Sequence, residues 1–136
     1  MAELTVEVKR VINAPIDKVF RAWTEPKQMK QWYSPEGMTT PEASSENHKG
    51  GKYHVQMKMG DQIIDMDGEY LEFSEPNKLV FTWGHGSTTV SVDFKKVDEN
   101  KTEVALKHTG FVDEESRAQH DDGWVGTFNK LEKFFN

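Results

Sequence analysis

Five histidines and no cysteines limit the chemistry that this 136-residue chain can do with its own side chains. Without cysteine there is no thiol nucleophile, no thiolate metal site and no disulfide. His108 shares strand parity with Val104 and Leu106, which turns it inward. His120 falls on the apolar stripe of the last predicted helix, close to Trp124. Two imidazoles on facing elements would be poised for acid–base work near neutral pH. A lone inward histidine is more often a satisfied structural residue, and no catalytic residue is assigned. His120-Asp121-Asp122 invites a metal reading, but no HExxH motif and no second histidine at ligand spacing accompanies it. The segment therefore reads as a solvated helix turn, with no metal site. There is no GxSxG, no P-loop and no GxGxxG. Asp65, Asp67 and Glu69 alternate outward on one strand, either solvated or as a like-charged row for a cation or a basic partner.

The other chemistry available is apolar recognition. Tyr53, Val55 and Met57 form one strand face; Ile64, Met66 and the side-chain-free Gly68 form another. Methionine adapts to irregular ligands and is equally an ordinary core filler. Trp83 ends a strand with Leu79 and Phe81 on its parity. Trp32 and Tyr33 precede a Pro/Gly loop that would make a lid over a cavity mouth, or else a small satellite core. Trp124, Phe128 and Leu131 share one helical stripe and read either as core or as pocket wall.

These residues need elements to hold them. Leu4, Val6 and Val8 alternate with polar residues as in a half-buried strand. Asn13-Ala14-Pro15 starts a helix carrying Ile16, Val19, Phe20 and Trp23, which Glu25-Pro26 breaks. A second short helix spans 26–32. From 38 to 111 the chain reads as an antiparallel meander: a weak strand over 38–48, then stronger ones over 52–59, 63–73, 78–83, 88–97 and 102–111. Asp113 offers an N-cap, followed by Glu114 and Glu115, for a final helix to about Phe135. Gly123 and Gly126 interrupt that helix, at roughly 0.5–1 kcal/mol each relative to alanine. Gly123 lies beside the apolar stripe, where it lets the backbone approach the sheet or leaves space next to Trp124. Gly126 lies away from the stripe, and packing against the two short helices is one account of it. One long amphipathic helix must lie on the apolar face of the sheet, and a twisted sheet wrapped around it leaves room for a cavity.

The net charge of −6 argues against nucleic acid or an acidic membrane as partner. No stretch approaches the roughly 18 apolar residues of a membrane span, and the N-terminus has no signal-like apolar core. The expectation is one domain, 1–136, in the cytoplasm.

The runs VINAPIDKVFRAWTEPKQMKQWYSP, GGKYHVQM, GEYLEFSEPNKLVFTW and VALKHTGF, followed by GWVGTFNKLEKFF, resemble the bacterial single-domain proteins related to the C-terminal domain of the heat-shock protein 90 ATPase activator. That family belongs to the START-like (polyketide cyclase, lipid-transport) superfamily. The resemblance covers nearly the whole chain in order. It implies an α+β helix-grip fold: a curved antiparallel sheet around a long C-terminal helix, with two short helices after the first strand. It also implies a hydrophobic cavity between them. The superfamily hosts carriers, receptors, cyclases and chaperone-associated domains, so it implies no single chemistry. The expected function is binding of a small hydrophobic or aromatic ligand without a cofactor, in a monomer or homodimer. A chaperone-associated role in the stress response is the alternative, and a cyclase- or hydrolase-type enzyme is a third reading. Expected ligand contacts are Trp32, Tyr33, Tyr53, Val55, Met57, Ile64, Met66, Trp83, His108, His120, Trp124, Phe128 and Leu131.

Overall fold

The computed structural model describes residues 4–84 and 86–136; His85, in the turn expected at 84–86, lies outside the described residues. Strand β1 (Thr5–Ile12) leads through the short helices α1 (Ile16–Ala22) and α2 (Pro26–Trp32) to β2 (Ala43–Ser45). Then come β3 (Lys52–Met59), β4 (Gln62–Ser74), β5 (Lys78–Trp83), β6 (Thr88–Asp98), β7 (Lys101–Thr109) and the helix α3 (Glu114–Phe134). The strands form one curved antiparallel sheet in the order β1-β7-β6-β5-β4-β3-β2, so the meander runs in sequence and β1 closes it beside β7. The weak strand over 38–48 shrinks to β2 and an isolated bridge between Thr39 and Lys58. Pro41 stands between the two pieces and has no N–H to give a ladder.

Period-2 burial drives the pairing. Leu79, Phe81 and Trp83 of β5, Val90, Val92 and Phe94 of β6, and Val104, Leu106 and His108 of β7 all point to the helix side and are buried. There they meet α1, α2 and α3. Phe20 packs edge-on to Phe94 at 5.2 Å and to Phe73 at 5.4 Å, and Trp23 contacts Trp32 at 4.8 Å and Phe128 at 5.8 Å. Helix α3 begins where expected: the Asp113 carboxylate accepts from Ser116 N–H at 2.8 Å. It then runs unbroken through both glycines. Arg10 of β1 donates to Asn129 and Glu132, each at 3.0 Å, and so ties the helix to the sheet edge. Among the described residues, no helix is long and apolar enough to cross a membrane.

Strand β4 divides the sheet. Its first part pairs with β3, from Met59↔Gln62 to Lys52↔Glu69. Its second part pairs with β5 from Tyr70↔Phe81 onward, with a bulge between Tyr70 and Glu72. Beyond Phe81, β5 therefore continues without β4 beside it. Side chains satisfy the backbone there: the Tyr53 hydroxyl donates to the Thr82 carbonyl, and Glu69 N–H donates to Thr82 Oγ1 at 2.9 Å. Gly84 N–H donates to Met66 Sδ at 3.2 Å. Gly68 sits in this seam because a Cβ there would collide with the Thr82 carbonyl and the Tyr53 ring.

Candidate functional site

The seam side of the sheet, the start of α3 and the loop after α2 enclose a cavity of about 200 Å³. Met57 of β3, Ile64 and Met66 of β4, and Trp83 of β5 form one wall. Gln119, His120, Gly123, Trp124 and Thr127 of α3 form the opposite one, and Tyr33, Pro35 and Met38 close the side between α2 and β2. The lining is nearly all carbon and sulfur.

Of the residues expected to contact a ligand, Tyr33, Met57, Ile64, Met66, Trp83, His120 and Trp124 meet here. Ile64 is nonetheless 49% exposed, so it forms the lip of the cavity and not its floor. Trp32, Tyr53, Val55, His108, Phe128 and Leu131 do not line it. Trp32 is fully buried, and its indole N–H donates to Ala22 O at 3.0 Å, which makes it part of a core under the loop. Val55, Phe128 and Leu131 are fully buried as well, where aromatic rings fill the space between helix and sheet. The Tyr53 hydroxyl is committed to Thr82 across the seam. Sequence reasoning did not single out Pro35, Met38, Gln119 or Thr127. The helical spacing of Thr127 from Gly123 and Trp124 would have signalled that residue.

His108, expected as a ligand contact, is instead the structural histidine that a lone inward imidazole more often is. Trp124 Nε1–H donates to its Nδ1 at 2.9 Å, and its Nε2 lies 2.7 Å from Thr88 Oγ1. An indole only donates, so Nδ1 is the acceptor and Nε2 carries the proton. Thr88 Oγ1 in turn reaches Trp83 O at 3.2 Å. Burial, helped by the nearby His120, pushes the His108 pKa down to about 3 from its ordinary 6.5. With both nitrogens engaged and no face on the cavity, His108 serves as a neutral structural link between β7, β6 and α3. His120 lies 5.3 Å from it, ring to ring, and its Nδ1 meets Ser116 O at 2.8 Å. Asp121 beside it lies 3.6 Å from Arg117.

The expected lid, the loop at 32–37, is clamped onto α3. Lys130 Nζ donates to Ser34 Oγ at 2.7 Å and to Met38 O at 3.0 Å, and Asn129 donates to Glu36 at 2.8 Å. Burial lowers the Lys130 pKa, with Glu36 opposing. This docking explains Gly126, while the cavity explains Gly123. A Cβ on Gly126 would lie 2.8 Å from the Glu36 backbone nitrogen, whereas one on Gly123 would meet only Pro35 Cγ at 3.5 Å. Gly126 is therefore the close-approach glycine, and it faces the loop and not the short helices themselves. Gly123 leaves space at the cavity. Gly126→Ala is expected to cost about 1–3 kcal/mol through overpacking. Gly123→Ala should stabilise by roughly 0.5–1 kcal/mol through helix propensity. Urea unfolding of the pair would check both signs.

The architecture is that of the START-like helix-grip proteins. The model of the family described as "Activator of Hsp90 ATPase homolog 1-like protein" matches residues 13–136, and the chain belongs to that family. No curated protein matches the chain. Among solved structures, a Nitrosomonas europaea protein superimposes with a TM-score of 0.85 at 21% identity, over 98% of this chain and 95% of its own. An AHSA1 protein from Silicibacter pomeroyi gives 0.83 at 20% identity, over 95% of each chain. A Staphylococcus aureus protein of unknown function gives 0.82 at 18% identity, over 98% and 94%. At these identities the likeness speaks for the fold alone.

Proposed function

We propose that this protein binds a small hydrophobic or aromatic molecule in the cavity between the sheet and α3. What supports the reading is the lining: thioether, indole and aliphatic groups around about 200 Å³, with Thr127 Oγ1 and His120 Nδ1 bonded within α3. Thr127 Oγ1 donates to Gly123 O at 2.8 Å. A ligand that hides about 200 Å² of apolar surface gains roughly 5 kcal/mol, which corresponds to sub-millimolar affinity. An engineered cavity of about 150 Å³ takes up benzene, so the space here suits one or two rings and not a lipid chain pair.

Gly123→Leu offers the test, because its side chain has room to enter the cavity. A thermal-shift series with tetralin and indole should give saturable stabilisation of the wild type. The variant should melt no lower than the wild type and show no shift. Equal responses from both proteins, or none from either, would sink the proposal.

The family description favours a second reading, a chaperone-associated role. Its check is the ATPase rate of a purified Hsp90 with and without this protein. A saturable rise would support that role, and an unchanged rate would remove it.

A further inference from the structure

The Tyr33 side chain is only 3% exposed and lines the cavity, yet its hydroxyl bonds to no described residue. Two other buried donors lack partners, the indole nitrogens of Trp23 and Trp83, and both are sealed off from any open space. The Tyr33 hydroxyl is not so enclosed, and its side chain borders the cavity. The ring is fixed from several sides: Trp32 at 4.9 Å, Trp83 stacked at 6.5 Å, Trp124 edge-on at 6.4 Å. Its backbone is held as well, since Thr40 Oγ1 donates to Tyr33 O at 3.0 Å. A rigid aromatic thus carries an unspent donor on an otherwise apolar wall. Such a donor favours the occupant that supplies an acceptor, because a partnerless buried hydroxyl forfeits its hydrogen bond.

Building on the binding function proposed above, we infer that the cavity selects an uncharged, planar one- or two-ring compound bearing a carbonyl, which accepts a hydrogen bond from the Tyr33 hydroxyl. Burial holds the Tyr33 pKa well above its ordinary value of 10, so the phenol remains a donor across the physiological range. The compound must be uncharged because no lysine or arginine among the described residues lines the cavity. A carboxylate taken into an apolar site without a cation loses its hydration uncompensated. His120 and the exposed Gln119 also line the cavity, where polar substituents of the ring system can remain near water.

The test uses three probes of one shape: tetralin, 1-tetralone and 1-naphthoate, with affinities read by quenching of tryptophan fluorescence. In wild-type protein 1-tetralone should bind about tenfold tighter than tetralin, and 1-naphthoate weaker than either. In Tyr33→Phe the advantage of the ketone over tetralin should fall to within about twofold. The hydroxyl has no partner among the described residues to lose, so the variant should melt within a degree or two of the wild type. The infrared carbonyl stretch of bound 1-tetralone supplies a readout without any variant, and it should lie lower in wild-type protein than in alkane. Equal binding of tetralin and 1-tetralone, an unshifted carbonyl, or naphthoate binding as tightly as the ketone would overturn the selection while leaving apolar binding intact. No binding of any probe would overturn both.

Discussion

Between pH 7 and pH 4 the folded protein should lose about 3 kcal/mol of stability through His108 alone. The unfolded imidazole takes up its proton near its ordinary pKa of 6.5, while the folded one resists down to about 3. Within that window the unfolded state binds more protons, so stability falls as pH falls; above 6.5 the contribution is fully present, and below 3 it is gone. The cause is geometric. The folded site already gives Nδ1 a donor, Trp124 Nε1–H, at 2.9 Å, so a second proton would have to displace it inside a fully buried pocket. His108→Gln keeps an acceptor for Trp124 and a donor for Thr88 without a titratable group. Urea unfolding at pH 7, 5.5 and 4 should show the wild type losing about 3 kcal/mol more than the variant. Parallel pH profiles would mean that His108 protonates in place.

Trp124→Ala should be the most damaging single truncation, at about 3–5 kcal/mol. For a chain of this length that lowers Tm by about 10–20 °C. Trp124 is 4% exposed and touches nearly every part of the site. It stacks with Trp23 at 6.3 Å, tilts against Trp83 at 5.1 Å and meets Tyr33 edge-on at 6.4 Å. It also satisfies His108. Its loss would merge the cavity with the space the ring leaves and strand the His108 acceptor. Trp124→Phe separates the contributions, because it keeps most of the ring and removes only the N–H. Differential scanning calorimetry should rank wild type, Trp124→Phe and Trp124→Ala in descending Tm. An alanine variant as stable as the wild type would show that Trp124 is not the keystone of this core.

The architecture was legible because its signals are local. Alternation in β3 and β5, the Glu25-Pro26 break and the Asp113 cap each act over a few residues, and each is found where it was expected. Parity and helical phase also told which way Met57, Met66, Trp83 and Trp124 point. They did not tell how far along the sheet–helix space the void lies. Phe128 and Leu131 share the stripe with Trp124, yet the rings of α1 and α2 fill their end of the space. Tyr53 and Met57 share a strand face, but only Met57 reaches the cavity, since Tyr53 is spent on the seam. The helical wheel put Gly123 beside Trp124, where it leaves space, but could not account for Gly126, because the approach to Gly126 comes from a loop about 90 residues away in sequence, which no local period encodes.

The divided pairing of β4 builds the sheet wall of the cavity from two separately bonded parts. A continuous ladder would make the chamber wall rigid, since widening it would break strand pairs. Here side-chain links alone join the first part of β4 and its partner β3 to the end of β5, Tyr53 and Glu69 to Thr82 and Gly84 to Met66, while backbone bonds tie β3 to the segment 39–45 on its other edge. The lip residues Ile64 and Met66 ride on the β3–β4 hairpin, while Trp83 stays with the other half of the sheet.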